Sequence, residues 1–415
     1  MTTSPTPAPH VPAMRPWHFV LVFGLVSLLA DMVYEGARSI IGPYLATLGA
    51  SATLVGLVAG AGEFIGYGLR VVTGYAVQRR GNYWTWTITG YALTVLSVPL
   101  IGATGAMAPA LLLYASERLG KAVRSPAKDT LLSHASAGTG RGSAFGVHQA
   151  LDQTGAVLGP LLLAAVLGWR EGDYRLAFGV LLVPGVLVIA LLLWLRRRAP
   201  DPTEYETGLA APIQAPAAAL DTHRLPALFW QYVAVLALLS CGVASFPLLA
   251  FHAVTTGLLR DSLVPVLFAV AMAVDGASGF LVGRLYDRRG TVVLLAVPIA
   301  AAAAAIAFGH TVELMWAGVA IWGVINGVLD STVKAVVTEI VPSASRASAF
   351  GWLALVRGLG LLVAGGVLGL AYDRSPQTVM VVIVIANVLG LGGLVRTLRK
   401  IDREKTAPFS GTGRG

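Results

Sequence analysis

Apolar runs of some twenty residues or more recur from one end of this chain to the other, and few other features narrow its possible folds so far. A hydrocarbon layer about 30 Å thick is crossed by a helix of about 20 apolar residues, so 415 residues hold room for about twelve crossings with short connections. Composition agrees. Charged residues make up 12% and hydrophobic residues 56%, whereas a soluble domain is about a quarter charged. Reading the runs between charged or Gly/Pro breaks predicts helices over 17–47, 52–77, 84–103, 106–122, 141–168, 174–196, 227–252, 262–285, 291–310, 313–335, 346–372 and 377–397. The expected class is an all-α, multi-pass membrane protein. A Pro/Thr-rich leader, 1–16, leads into the first run without a small-residue cleavage pattern, which argues against a signal peptide.

The net charge of +9 is distributed by side. With both termini placed in the cytoplasm, 23 of the 30 Lys/Arg fall in cytoplasmic segments, four (Arg170, Arg175, Arg260, Arg374) on the other side, and Arg38, Arg70 and Arg357 within spans. That asymmetry is the positive-inside pattern, and it removes nucleic acid from the expected partners. The lone Cys241 fits no disulfide or zinc pattern.

A Pro/Ala/Thr-rich stretch, 197–226, reads as a cytoplasmic linker between two bundles of six helices, 17–196 and 227–397, with a tail over 398–415. The halves resemble each other. Gly74-Tyr-Ala-Val-Gln-Arg-Arg-Gly81 reappears as Gly283-Arg-Leu-Tyr-Asp-Arg-Arg-Gly290 at an offset of 209. Arg141-Gly-Ser-Ala-Phe-Gly146 reappears as Arg346-Ala-Ser-Ala-Phe-Gly351 at an offset of 205. Duplicated halves around a central cavity are a transporter architecture.

At these residues the chain resembles the major facilitator superfamily over nearly its whole length. That family carries a G-x-x-x-D-R-x-G loop after its second helix and a weaker copy after the eighth. Gly283, Asp287, Arg288 and Gly290 match it, as do Gly74, Arg79 and Gly81, although Gln78 stands at the acidic position. The resemblance implies a cytoplasmic gate at these two loops. The family's antiporters also carry Gly-x-x-x-Gly-Pro in helix five, here Gly155, Gly159 and Pro160, which implies export. Many family exporters place an arginine in helix four, four residues before a glycine. The match to Gly120 is Ser116, followed by Glu117 and Arg118, so that charge has to come from elsewhere.

Charges inside the apolar runs are the candidate site. The first run reads SLLADMVYEGARSIIGPYL, with Asp31, Glu35 and Arg38 at i, i+4 and i+7 on one helical stripe. Each costs about 2.5–3.5 kcal/mol at mid-span unless it faces the bundle interior. Glu63 and Arg70 share a face of the second span; His148 and Asp152 share one in the fifth. Asp275, Asp330, Lys334 and Arg357 lie in the second half, and Arg357 corresponds to Asp152 at the 205 offset, suggesting an ion pair across the cavity. Glu35–Arg38 and Asp330–Lys334 can neutralise locally, while Arg70 and Glu117 are expected to snorkel to water. Burial favours the uncharged form of a carboxyl group and lets it bind and release protons. Asp31, Glu35, Glu63 and Asp152 are therefore the proton-carrying candidates, Asp31 and Asp152 foremost, with His148 as a relay. A fixed salt-bridge network is the structural alternative. Tyr67, Phe145, Trp230, Tyr232, Trp322 and Trp352 are candidate cavity aromatics. Ser125-Pro126 is expected to break the fourth helix, with Leu131-Leu132 on a short surface helix.

No P-loop, zinc-hydrolase or nucleophile-elbow pattern occurs in the sequence, so neither an enzyme nor an ATP-driven pump is expected. The expectation is a monomeric inner-membrane secondary transporter without cofactor or metal, driven by the proton gradient, exporting a small organic molecule. A proton-coupled importer and a non-transporting sensor or scaffold are the alternatives.

Overall fold

The computed structural model describes residues 14–136, 139, 141–201, 204–205, 225–342 and 345–406. The leader up to residue 13, most of the linker and the end of the tail lie outside the described residues. Within them every regular element is a helix: α1 (Pro16–Thr47), α2 (Ala52–Arg80), α3 (Tyr83–Thr104), α4 (Met107–Ser136), α5 (Arg141–Trp169), α6 (Tyr174–Val180), α7 (Leu182–Arg198), α8 (Ala227–Cys241), α9 (Phe246–Thr255), α10 (Leu263–Arg289), α11 (Ala296–Ala304), α12 (Val312–Ile340), α13 (Arg346–Arg374) and α14 (Pro376–Thr406). Short 3-10 segments, Gly290–Leu295 and Ala305–Phe308, flank α11.

Among the described residues ten helical stretches are long and apolar enough to cross a membrane. One of them, 263–308, covers two expected segments and leaves α-helical geometry at Gly290, whose φ of +66° suits glycine. The thirty-residue α4 is long enough to cross but carries too many charges to qualify by composition.

Local chemistry fixes the ends. Ser51 Oγ accepts from Leu54 N at 3.2 Å and opens α2, and Gly81 at φ +66° closes it. Thus Gly74–Arg80 is helix rather than loop, and so is Gly283–Arg289. The paired arginines at both C-termini (Arg79 and Arg80, Arg288 and Arg289) complement the helix dipole and carry each helix past its apolar run. α14 likewise runs on to Thr406, into the segment expected as a tail.

Two sequence expectations fail at α4. Pro126 does not break the helix, and Leu131 and Leu132 are fully buried rather than on a surface helix. Proline at 126 frees the carbonyl of Ala122, and the Thr73 hydroxyl of α2 donates to it at 2.8 Å. The linker's start also folds back: Tyr205 is buried, its ring 5.9 Å from Phe19.

In the first half α1 packs on α5 and α7, α3 on α4, and α2 on α4; in the second α10 packs on α12, and α8 on α13 and α14. Between halves α2 meets α13, α5 meets α10, and α9 meets α1. The seventh segment is interrupted between α8 and α9. There Asn387 Nδ2 donates to the Gly242 carbonyl and Trp322 Nε1 to the Ala244 carbonyl, both at 2.8 Å. Beyond the break, His252 Nδ1 lies 2.8 Å from Tyr372 Oη and its Nε2 3.1 Å from the Gly309 carbonyl.

The apolar core shows where the halves are joined. One cluster runs through the first half and into α9 and the ends of α10, α12, α13 and α14 remote from Arg79 and Arg288; a separate cluster fills the rest of the second half. The remote end, called the far side below, is therefore continuous, and the end bearing the basic helix termini, the basic side, is split.

The far side is closed by backbone. Gly56 lies against the Gly365 carbonyl, Gly60 against Leu361, and Gly42 of α1 against the Pro247 carbonyl of α9, with no room for a β-carbon at any of the three. Asp373 ends the α2–α13 seam: it accepts from Ala52 N at 3.0 Å and Thr53 N at 3.2 Å, and also from the Thr53 hydroxyl. A bulky side chain in the seam is expected to hold it open, since overpacking costs about 1–3 kcal/mol. With Cys241 replaced by alanine, a cysteine at the buried Ala364 (Ala364→Cys) should resist an impermeant maleimide, and adding Gly56→Leu should make it reactive. Unchanged protection would mean the seam is not what closes this side.

Candidate functional site

Where the halves part, a cavity of about 1470 Å³ opens between α2, α5, α10, α12 and α13. It begins at Tyr67 and Arg357, just below the glycine seam, and extends past Gly74 and Gln78 toward the basic side. Charged side chains on its wall are Arg70, Asp275, Asp330, Lys334 and Arg357; Gln149 and Gln153 face it from α5. Arg70 and Arg357 flank one ring, their guanidinium carbons 5.2 and 5.4 Å from the Tyr67 centroid.

Beside the cavity, inside the first half, lies a buried polar layer. Arg38 reaches Glu35 on its own helix at 3.5 Å and Glu63 of α2 at 3.3 Å. The same Glu63 oxygen takes Arg118 of α4 at 3.5 Å, and Arg118 also bonds the Glu117 carboxylate. Glu63 thus joins α1, α2 and α4. One and two turns further along α4, Lys121 and Arg124 stand over the Tyr34 ring at 4.3 and 5.4 Å, and Arg124 lies 4.3 Å from the Tyr91 centroid.

Asp31 differs from its neighbours. Of the three fully buried carboxylates, Glu35 and Glu117 touch arginines, while Asp31 has no cation within 4.0 Å among the described residues. Its electrostatic neighbours are Asp152 on α5, Arg124 and Lys128 on α4, and Glu35 on its own helix. His148 Nδ1 stands 3.9 Å from Asp152, too long for a hydrogen bond, and His148 Nε2 is buried without a partner among the described residues. Gly155 and Gly159 press α5 onto the α1 backbone at Leu28 and Met32, with the Asp31 β-carbon beside Gly155.

Several sequence expectations are corrected here. Arg357 does not face Asp152; it pairs with Asp330 at 3.3 Å, taking the partner expected for Lys334. Glu117 does not snorkel but is buried against Arg118, and Arg70 turns to the cavity wall with its Nε buried. Of Asp31, Glu35, Arg38, Glu63, His148, Asp152 and Arg357, only Arg357 lines the cavity; the others form the adjoining layer. Of the gate residues, Gly74 lines it as well. Of the expected aromatics, Tyr67 lines it, whereas Trp322 is spent on the α8–α9 break and Trp230 meets Trp352 edge to face with centroids 5.4 Å apart. Lys121 and Arg124 were not among the expected site residues, the positive-inside pattern explaining them equally well. Their spacing from Arg118 at i+3 and i+6 carries the signal once α4 is read through Pro126.

The arrangement supplies two adjoining environments: an open cavity between the halves, and a buried layer where a carboxyl pair, Asp31 and Asp152, faces cations on α4. α5 belongs to both, presenting Gln149 and Gln153 to the cavity and Asp152 to α1.

A sequence model of the Major Facilitator Superfamily matches residues 23–365 and again 262–414. An uncharacterized protein of Mycobacterium tuberculosis is 46% identical over 383 residues, covering 92% of this chain and 93% of that one. An uncharacterized MFS-type transporter of Methanocaldococcus jannaschii is 23% identical over 384 residues, covering 90% of this chain and 93% of its own. Among solved structures, a bacterial homolog of the human lysosomal transporter Spinster superposes with a TM-score of 0.71 at 17% identity, covering 95% of this chain and 99% of that one. The nucleoside transporter NupG gives 0.71 at 12% identity, covering 92% and 99%.

Because Glu63 neutralises two arginines from two other helices, its loss should far exceed that of Glu35. Removing one partner of a buried pair costs about 3–5 kcal/mol. Glu63→Gln is expected to lower the melting midpoint of the detergent-purified protein sharply, and Glu35→Gln only slightly. Equal effects would remove Glu63 from the centre of the layer.

Proposed function

This chain belongs to the Major Facilitator Superfamily of membrane transporters, and on that premise we propose that it is a proton-coupled secondary exporter of a small organic molecule working by alternating access. The carrying observation is the cavity itself: it lies between duplicated halves, is closed at one end by the α2–α13 glycine seam, and opens toward the basic helix termini. By the positive-inside rule that open side is the cytoplasm, with both termini, in a bacterial inner membrane. Substrate then loads from the cytoplasm, as an exporter requires.

Proton coupling is assigned to Asp31 and Asp152. Two carboxylates facing each other across the α1–α5 contact repel when both are ionised, and a proton on either relieves that repulsion. α5 carries the consequence to the cavity, because Gln153 follows Asp152 in the chain and lines the cavity wall. The tight α1–α5 contact at Gly155 and Gly159 transmits movement rather than absorbing it. Pro160, one position on, removes a backbone donor and allows α5 to bend there. In this reading Arg118, Lys121 and Arg124 supply the helix-four charge absent at Ser116, and the α2 and α10 C-termini around Arg79, Gly81, Asp287, Arg288 and Gly290 meet when the cytoplasmic side closes. The protein acts as a monomer, with substrate, protons and lipid as its partners.

Two measurements test this. In oriented vesicles, an imposed pH gradient should raise maleimide labelling of Ala364→Cys from the far side, and Asp31→Asn or Asp152→Asn should abolish that response while expression is retained. A gradient response intact in both variants would return the pair to a structural role. In proteoliposomes, addition of substrate should drive proton movement opposite to substrate movement; movement in the same direction would make the protein an importer.

A further inference from the structure

Among the described residues three charged side chains on the cavity wall have no counter-charge within 4.0 Å, Arg70, Asp275 and Lys334, and the first two stand on opposite halves away from the mouth. Arg70, on α2, lies against Tyr67; its Nε is buried without a hydrogen-bond partner, and it forms no ion pair within 4.0 Å among the described residues. Asp275, on α10, faces the same cavity. Its backbone carbonyl accepts from Ser278, but among the described residues its carboxylate accepts no hydrogen bond and meets no cation within 4.0 Å. The remaining wall charges are accounted for: Arg357 and Asp330 pair at 3.3 Å, and Lys334 is exposed one turn nearer the mouth, where water solvates it.

The duplication fixes their relative depth. At the 209 offset Arg70 corresponds to Gly279, four residues beyond Asp275. About 1.5 Å per residue places the two within about 6 Å of equal depth, on equivalent helices of the two halves. A singly charged ligand matches one of these groups and is repelled by the other. A molecule bearing both charges satisfies both and brings no net charge into a wall that also presents Val71, Phe280, Phe350 and Leu353 to an apolar skeleton, beside the amides of Gln149 and Gln153.

We propose that the transported molecule is a small zwitterion, its carboxylate held by Arg70 and its ammonium by Asp275, with an apolar skeleton between. This deepens the transporter reading above and rests on it. Substrate then bridges α2 of one half and α10 of the other, so a filled site draws the halves together across the open end.

The test uses the detergent-purified full chain and a graded series of ω-amino carboxylic acids, with alkanoates and alkylamines of matched length as single-charge controls. Thermal melting reads binding. At least one ω-amino acid should raise the midpoint clearly more than both of its controls together. Arg70→Gln and Asp275→Asn should each weaken that ligand roughly tenfold or more, the loss for one charged hydrogen bond. The double exchange of Arg70→Asp with Asp275→Arg should restore binding relative to either single change. Equal shifts from an alkanoate or alkylamine alone, or no shift from any member of the series, would overturn the proposal. The gradient-driven labelling of Ala364→Cys contains no ligand. If it holds while no ω-amino acid binds, the substrate assignment alone falls; if it also fails, the transport reading falls with it.

Discussion

A charge in hydrocarbon has to find a partner, and the first half of this molecule is arranged around that requirement. Glu63 receives Arg38 from one side and Arg118 from the other, so three helices meet at a single carboxylate oxygen. The pairs contribute little net stability, because desolvating both partners offsets most of their attraction. What they fix is register: α1, α2 and α4 cannot slide or rotate without stranding a buried charge. Lys121 and Arg124 extend the same layer along α4 over Tyr34.

The contact between halves is built on the opposite principle. At Gly56–Gly365 and at Gly42–Pro247 backbone touches backbone, with neither bulky side chains to disentangle nor buried ion pairs to break. Dispersion at close range holds such a seam along its length, and the hydrogen bonds to Asp373 fasten its end.

Much of this was legible in the sequence, and its limits have a common cause. Asp31, Glu35 and Arg38 announced an inward-facing stripe by spacing alone, and the repeated Gly74–Gly81 and Gly283–Gly290 segments announced two halves. What could not be read was anything decided by a different helix. Pro126 looked like a break because the Thr73 hydroxyl that satisfies the freed Ala122 carbonyl lies 49 residues away. Asp330 looked like the partner of Lys334, its neighbour at i+4, yet Arg357 of α13 reaches it instead. Arg70 and Glu117 looked like snorkelling end residues because the sequence does not show that one borders a cavity and the other sits under Arg118. Local rules placed the charges; tertiary neighbours chose their partners.

The interruption between α8 and α9 has a mechanical meaning. The carbonyls it exposes are held by Asn387 of α14 and Trp322 of α12, and the His252 end of α9 is pinned to Tyr372 and Gly309. All of these anchors belong to the second half. The kink is thus a braced elbow rather than a joint: held at both ends by its own half, α9 meets α1 at Gly42 as one stiff piece.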